Sequence, residues 1–260
     1  MYDTFSANYD RFVNWQSRLA FELPFLEEQL KPLQGTPDHP GRVLDAACGT
    51  GMHAIALARR GWAAAGADLS APMIARAQAN AAEAGLNLPL AAAGFGQLAG
   101  AFRPNPIFPF DAVLCLGNSL PHLLTPAELV SALGDFAACL RPGGRLILQS
   151  RNFDAVLAQR ERWMEPQSYR EGQHEWLFLR FYDYDPDGRI TFNIQTLQRE
   201  GAGDWQQHVD STRLWPQRQS ELAEALAMTG FNQLQAFGGL NGSPFDPQTS
   251  GNLVWVATRQ

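Results

Sequence analysis

A short run of residues in the first fifth of the chain has the composition of a ligand-binding turn. Residues 43–51 read Val-Leu-Asp-Ala-Ala-Cys-Gly-Thr-Gly, and Asp68 follows seventeen residues after Gly51. Glycine permits a tight turn and lets a ligand lie directly against peptide groups, which suits Gly49 and Gly51 to this role. A carboxylate at the end of the next strand is placed to bind both hydroxyls of a ribose. The pattern therefore predicts a nucleoside site.

The position of Asp45 narrows the choice of nucleoside. The run Gly49-Thr50-Gly51-Met52-His53-Ala54 also fits the loose dinucleotide pattern G-x-G-x-x-G/A, which alone is a weak signal. Asp45, however, lies inside the preceding strand, where a hydride-transfer enzyme normally has an apolar residue. A carboxylate there can meet a cationic ligand group, such as the ammonium of an amino acid. No G-K-[ST] sequence follows the turn, which disfavours a triphosphate.

The composition is that of a globular enzyme and excludes several other classes. The chain has 260 residues, of which 45% are hydrophobic and 18% charged, enough for one large domain with a full core. Its net charge of −6 argues against nucleic acid or an anionic membrane as the main partner. We expect a cytoplasmic protein, because the N-terminus has no basic segment of a secretory signal and the three cysteines show no metal spacing.

Apolar strands and helices alternate along most of the chain, which predicts a doubly wound α/β sheet. The expected helices cover residues 52–58, 72–85, a stretch from 125 or 126 to just before 142, and 217–229. The expected strands cover residues 42–47, 63–67, 88–93, 110–116, 145–150, 232–237 and 252–258.

The pattern changes between residues 153 and 217. Residues 174–184 and 189–198 alternate as strands do, and Pro186-Asp187-Gly188 between them is a hairpin turn signal. Residues 205–214 are expected to complete a three-stranded antiparallel sheet. Its aromatic side chains are either only the packed face of this sheet or part of a cover that shapes the choice of substrate.

Residues 43–51 resemble motif I of the class I S-adenosylmethionine-dependent methyltransferases, and the Arg141-Pro142-Gly143-Gly144 turn is similar to the same family. The resemblance implies a seven-stranded, Rossmann-like methyltransferase sheet with an antiparallel β insert and an N-terminal helical lid. It also implies S-adenosyl-L-methionine as the cofactor. The expected division is a lid at 1–40, a cofactor-binding core at 41–152, a substrate-side insert at 153–217, and the C-terminal part of the core at 218–260.

Three further segments are similar to glycine N-methyltransferases and glycine/sarcosine N-methyltransferases. They are Leu116-Gly117-Asn118-Ser119, Arg151-Asn152-Phe153-Asp154 and Asn14-Trp15-Gln16-Ser17-Arg18. Tyr9 lies upstream, where those enzymes also have a tyrosine, although the spacing here is shorter. The core resemblance covers about residues 41–152, and the narrower one consists of short loops.

The resemblance implies roles for individual residues. Asn118 and Leu116 would flank the sulfonium methyl group, and Arg151 would meet an anionic group of the substrate. Arg18 would pair with the cofactor carboxylate. Arg18 as a solvated helix residue, Arg151 as a structural ion pair and His122 as a packing residue remain open alternatives. The implied cofactor-binding residues are Tyr9, Trp15, Arg18, Asp45, Ala47, Gly49, Gly51, Asp68, Leu69, Met73, Gly94, Phe95, Leu116 and Gly117.

The expected site departs from the family at the adenine. Where the family usually has an acid or asparagine, this chain has Ala93-Gly94-Phe95-Gly96-Gln97. We therefore expect the adenine to be recognised by backbone groups, by Gln97 or by water.

The expected function is methyl transfer from S-adenosylmethionine to a small-molecule acceptor, on an amine or amino acid nitrogen. Because a sulfonium is already an activated leaving group, alignment is the main task of the protein. An oxygen acceptor of high pKa would need a base or a metal, and the sequence offers no clear ligand cluster. The alternatives are an O- or C-methyltransferase of a metabolite or natural product, and a non-catalytic cofactor-binding protein. The oligomeric state is left open.

Overall fold

The computed structural model describes residues 9–260, and its elements follow one another as the alternating pattern predicts. The helices are α1 (Trp15–Leu30), α2 (Met52–Ala58), α3 (Ala71–Glu83), α4 (Leu98–Phe102), α5 (Pro126–Cys139), α6 (Phe153–Gln159) and α7 (Gln219–Met228). The strands are β1 (Gly35–Thr36), β2 (His39–Pro40), β3 (Arg42–Asp45), β4 (Ala63–Asp68), β5 (Leu90–Ala92), β6 (Phe110–Cys115), β7 (Leu140–Arg151), β8 (Gln167–Glu171), β9 (His174–Tyr184), β10 (Ile190–Glu200), β11 (Gln206–Leu214), β12 (Phe231–Phe237) and β13 (Asn252–Arg259).

The central layer is a seven-stranded sheet in the order β12-β13-β7-β6-β3-β4-β5. Strands β3 to β7 pair in parallel, and β13 runs antiparallel to both β7 and β12. The order reverses between β3 and β6, which is the point where open sheets of this kind bind ligands. The predicted doubly wound, seven-stranded α/β sheet is confirmed.

The strands form where they do because both faces of the sheet are covered. Every residue of β6 is buried, as expected for a continuous apolar run at the centre of a parallel sheet. Helix α5 begins with a capping box in which Thr125 and Glu128 bond each other's backbone N–H groups. One face of the sheet packs against α5 and α7 through residues such as Phe136 and Leu226, and α1 contributes Leu26 to the other.

Some expected boundaries were wrong. Strand β7 begins at Leu140 instead of residue 145, because Leu140 pairs with Phe110 before a register shift and the ladder resumes at Arg145. The strand also continues through Arg151, which pairs with Asn252 of β13. Helices α4 and α6 were not expected. Each is short, with five and seven residues, and so carries little periodic signal.

The insert forms a separate antiparallel sheet in the order β11-β10-β9-β8. It has four strands instead of the expected three, since residues 167–171 pair with β9. All five residues of β8 are exposed, so this strand lacks the apolar alternation by which strands are recognised. The register places one set of residues on the side we call the inner face of the insert, namely Phe178, Arg180, Tyr182, Phe192, Ile194, Asp210 and Thr212.

The N-terminal part is helical, as expected. Residues 9–12 are helical, and α1 follows after Asn14, whose side chain caps the helix by accepting from the N–H of Ser17. Within residues 9–260, no helix combines the length and apolarity needed to cross a membrane. The division of the chain at residues 40, 152 and 217 stays a prediction.

Candidate active site

A cavity of about 590 Å³ lies at the carboxyl ends of β3, β4 and β6. Residues from the N-terminal segment and from β11 also line it. Its size is in the range of small-molecule sites. The lining residues are Tyr9, Trp15, Arg18, Ala46, Ala47, Cys48, Gly49, His53, Asp68, Leu69, Ser70, Met73, Ala93, Gly94, Phe95, Gln97, Leu116, Gly117, Ser119, His122, Leu123 and Thr212.

Most of the predicted site residues meet at this cavity, and four of them do not line it. Asp45 is buried beneath the glycine turn, and Gly51 is the N-cap of α2. Asn118 and Arg151 lie behind the wall, at the ends of β6 and β7. The predicted residues that line the cavity are Tyr9, Trp15, Arg18, Ala47, Gly49, Asp68, Leu69, Met73, Gly94, Phe95, Leu116 and Gly117.

Asp68 holds the glycine turn in place. Its Oδ2 accepts from the N–H of Gly49 at 2.9 Å, and its Oδ1 accepts from the N–H of Ser70 at 2.9 Å. Gly49 and Gly51 have φ angles of 53° and 82°, a left-handed conformation that other residues rarely adopt. A Cβ at Gly51 would also lie 3.0 Å from the Cβ of Ala77. The half-buried Asp68 carboxylate therefore stands beside bare backbone at the cavity wall.

Asp45 is an incompletely satisfied acid. The residue is 2% exposed, and neither carboxylate oxygen accepts a hydrogen bond of good geometry from any described residue. Burial raises the pKa of Asp45 to about 6. An acceptor pair buried without partners is costly, and a cationic ligand group would relieve that cost. This observation fits the ammonium of a bound amino acid moiety.

Three polar side chains, Arg18, Glu22 and His53, link α1 to α2 at the edge of the cavity. Glu22, which is 8% exposed, accepts from Nε of Arg18 at 3.0 Å and lies 2.6 Å from Nε2 of His53. Burial alone would raise the pKa of Glu22. Hydrogen bonds from His53 and Arg18 outweigh burial and hold this pKa below its ordinary value. Arg18 is therefore half-buried and held in place, which excludes the alternative of a solvated helix residue.

Sequence reasoning missed Glu22 and His53. The spacing of Arg18 and Glu22, four apart on one helix, was a readable signal for their pair. The contact with His53 joins residues 31 apart in sequence and had no local signal.

Asp10 was also missed, although it fastens the N-terminal segment over the turn. Its Oδ1 accepts from Trp15 Nε1 at 2.8 Å and from the Thr50 hydroxyl at 2.7 Å. Its Oδ2 pairs with Arg76 of α3 at 3.2 Å. Tyr9, next to it, comes close to Gly49: a Cβ built there would lie 3.7 Å from its ring. The segment thus forms a roof over the glycine turn.

The region expected to hold the adenine is a largely apolar slot. Leu69 is 81% exposed at the cavity, an unusual state for a leucine that a flat ring would cover. Phe95 stacks edge-on against Phe136, with 5.3 Å between ring centroids. The side-chain oxygen of Gln97 accepts from the N–H of Gly94 at 3.2 Å, so that oxygen is already engaged.

Asn118 and Arg151 are bonded to each other. Asn118, in a left-handed conformation with φ 64°, accepts from the backbone N–H of Arg151 at 2.9 Å. The guanidinium of Arg151 donates through Nη2 to Glu161 at 2.8 Å, so it does form an ion pair. Its Nε, however, is buried and has no acceptor among the residues that the structure describes. The ion pair of Arg151 with Glu161 is therefore compatible with the predicted contact of Arg151 with an anionic group of the substrate.

His122 lines the cavity in a short 3₁₀ helix. Burial lowers its pKa to about 4, so the imidazole is neutral near pH 7. It offers a hydrogen-bonding group and no charge. Across residues 9–260, no three His, Cys, Asp or Glu side chains cluster in a way that could hold a metal ion.

Comparison with known proteins agrees with this geometry. Residues 43–144 match the model of a methyltransferase domain family. The chain is 35% identical over 154 residues to a glycine/sarcosine N-methyltransferase from Aphanothece halophytica, a match that covers 59% of this chain and 54% of that protein. The chain thus spans about half the length of the curated relatives it matches.

Two solved structures show the same fold over nearly the whole chain. An S-adenosylmethionine-dependent methyltransferase from Clostridium acetobutylicum superposes with a TM-score of 0.76 at 17% identity, covering 99% of this chain and 98% of that one. An S-adenosylmethionine-bound amino pentose methyltransferase from Micromonospora echinaspora superposes with a TM-score of 0.69 at 22% identity, covering 99% and 96%. At these identities, the likeness concerns the fold alone.

Proposed function

We propose that the protein, whose residues 43–144 match a methyltransferase domain family, transfers the methyl group of S-adenosylmethionine to a nitrogen atom of a small amine or amino acid. The observation that carries the proposal is the pair of acids at the glycine turn. Asp68 stands at the cavity wall, and Asp45 is buried without adequate partners beneath it. Together they suit the ribose hydroxyls and the ammonium of one ligand.

The cofactor-side roles follow from these positions. Asp68 would bind the ribose, Asp45 the ammonium, and Arg18 the carboxylate of the methionine part. Leu69 and Phe95 would enclose the adenine, with Met73 beneath it. A Cβ at Gly117 would lie 3.8 Å from Nη2 of Arg18, so the carboxylate clamp stands beside the loop after β6.

Transfer to nitrogen needs a nucleophile with a free lone pair, held in line with the methyl group. S-adenosylmethionine, when bound, supplies that group in activated form. The chain supplies alignment, which accounts for up to roughly 7–11 kcal/mol of a barrier in well-oriented reactions. Neutral His122 and the Asn118 loop would orient an amine, and Arg151 would hold an anionic part of the same molecule. The 35% identical relative is named for nitrogen acceptors, which supports this choice.

An acceptor screen with methyl-labelled S-adenosylmethionine tests the proposal. Glycine, sarcosine and simple amines form one panel, and phenols and carboxylic acids form two others. We expect label in the amine panel, with higher rates for amines that carry a carboxylate. Label only in phenols or carboxylates would instead establish oxygen transfer. Cofactor binding without transfer to any panel would make the protein a non-catalytic binder.

A further inference from the structure

The inner face of the insert carries a partly buried cation, Arg180, that forms no ion pair with any acid among residues 9–260. Arg180 lies on β9 between Phe178 and Tyr182, which are 0% and 1% exposed. Its Nε is buried and has no hydrogen-bond acceptor, and no carboxylate of residues 9–260 lies within ion-pair distance of it. Its guanidinium makes a long hydrogen bond of 3.4 Å from Nη2 to the carbonyl of Glu165, and its Cζ lies 5.0 Å from the centroid of the Phe12 ring.

The charges of Arg180 and Arg151 both act on the buried hydroxyl of Tyr182. Burial raises the pKa of Tyr182 to about 12, and the positive charges of Arg151 and Arg180 oppose that rise. Burial and the like charge of Arg151 both lower the pKa of Arg180. Glu161 neutralises only one of the two guanidinium groups, since its ion pair is with Arg151. The cluster therefore keeps one positive charge in excess.

Arg180 does not itself line the cavity, but its neighbours on the inner face connect it to the cavity wall. Ile194 pairs across the sheet with Arg180, and Ile194 and Phe178 pack against Tyr9, which lines the cavity. One step along the sheet, Phe192 stands between Tyr182 and Thr212, and Thr212 also lines the cavity. Asp210 is on the same face but beyond Ile194, and its ion pair is with His208 at 3.4 Å.

A partly buried guanidinium whose Nε has neither solvent nor an acceptor is costly to a fold, and a ligand that supplies the missing negative charge relieves that cost. We propose that Arg180, assisted by the unused Nε of Arg151, is the residue that binds the carboxylate of the methyl acceptor. The proposal rests on the proposed function, because it assigns the acceptor's carboxylate to that same site. It differs from the resemblance, which points to Arg151 alone. The acceptor class that fits is an amine bearing a carboxylate.

Acetate binding tests the assignment without turnover. The protein is saturated with S-adenosylhomocysteine, which has no transferable methyl group, and acetate is titrated by calorimetry. For Arg180→Gln we expect acetate affinity to fall on the order of 30-fold, the equivalent of one partly desolvated charge pair. Arg180→Lys keeps the charge without the planar fork and should lose less. Arg162→Gln is the matched control, because Arg162 is 55% exposed in an ion pair with Asp183 and should bind acetate as the wild type does.

Thermal unfolding separates ligand binding from a structural role. Without acetate, Arg180→Gln should unfold at the same temperature as the wild type or higher, because it removes an uncompensated charge. The rise in unfolding temperature that acetate causes in the wild type should be lost. A variant that unfolds at lower temperature in the absence of acetate overturns the assignment, and so does unchanged acetate affinity in Arg180→Gln or a wild type that binds no acetate.

Turnover then distinguishes the two proposals. If the wild type methylates carboxylate-bearing amines, Arg180→Gln should raise the acceptor KM at least about tenfold while kcat changes little, as expected for lost ground-state binding. Turnover with an unchanged KM refutes the role of Arg180 and leaves the proposed function standing. Acetate binding that depends on Arg180 in a protein without methyl transfer refutes the proposed function and leaves the anion site standing.

Discussion

The two walls of the cavity, which we assign to the cofactor and to the methyl acceptor, are built in different ways. The cofactor wall is formed by strand ends of a parallel sheet, where Asp68 fixes two backbone N–H groups around a glycine turn. The proposed acceptor wall comes from an antiparallel sheet and an N-terminal segment, and the polar group proposed to act there, Arg180, projects from the interior of a strand. The first wall consists of turns that directly follow strands, whereas the second depends on strand register between residues that are distant in sequence.

This difference explains why the cofactor wall can be predicted from the sequence more easily than the acceptor wall. A backbone turn leaves a local signature, because particular residues are needed at particular spacings. A side chain on an inner face is set by register alone, and one shifted residue would turn it to the outer face. We therefore expect substitutions on each wall to separate cofactor binding from acceptor binding.

The largest effect is expected for Asp68→Ala on the cofactor wall. The change removes the ribose acceptor and also releases the N–H groups of Gly49 and Ser70, so S-adenosylmethionine affinity should fall about 100-fold or more. Titration calorimetry on the folded variant measures this loss. Wild-type cofactor affinity in that variant would remove Asp68 from the cofactor wall.

Arg151→Lys should act on the acceptor wall instead. Lysine can keep an ion pair with Glu161 but cannot reproduce the planar fork, so the acceptor KM should rise roughly tenfold while cofactor affinity stays nearly constant. Steady-state kinetics at saturating cofactor decides the matter. A silent Arg151→Lys would mean that the pair with Glu161 is its whole role.

Glu22→Gln probes the boundary between α1 and the cofactor wall. Loss of the carboxylate leaves Arg18 and His53 without their shared partner, and cofactor affinity should fall about fivefold to tenfold. Glu27→Gln on the same helix is the matched control, because its pair with Arg60 is half-exposed and surface pairs contribute little. Equal affinities in the two variants would show that Glu22 does not position Arg18.

The smallest expected effect is on the pH dependence of the free energy of unfolding, to which His122 and Asp45 contribute with opposite signs. Burial holds His122 neutral in the folded state, with a pKa of about 4 against an ordinary 6.5, so the unfolded chain takes up the proton first. This group therefore costs stability as pH falls below about 6.5. Asp45 acts oppositely: its folded pKa is about 6 against 3.8, so its contribution rises as pH falls from about 6.

The two effects should largely cancel in the wild type between pH 6 and pH 5. Asp45→Asn should expose the His122 effect, with the free energy of unfolding falling by about 1 kcal/mol more than in the wild type over that unit. His122→Gln should show the reverse. Urea unfolding at both pH values measures the differences, and parallel curves for all three proteins would contradict both assignments.

The sequence predicts the sheet well because its strands are apolar runs between turn residues, as β6 illustrates. It predicts Asp68 and Asp45 because each has a fixed place relative to the glycine turn. It does not predict β8, whose side chains are all exposed, or the contact between Glu22 and His53, which forms only after α1 packs on α2. Arg180 was not identified for the same reason: in sequence it is one polar residue in an alternating strand.

Tyr9 lies between the two walls and can couple the binding of one ligand to the binding of the other. Its ring contacts the glycine turn on one side and the aromatic cluster of Trp176 and Phe178 on the other. Occupancy of either half that orders this ring lowers the entropy cost of binding in the other half. Such coupling is reciprocal: the factor by which cofactor tightens acceptor binding must equal the factor by which acceptor tightens cofactor binding. With such coupling, the cofactor and the acceptor would each dissociate more slowly when both are bound than when either is bound alone.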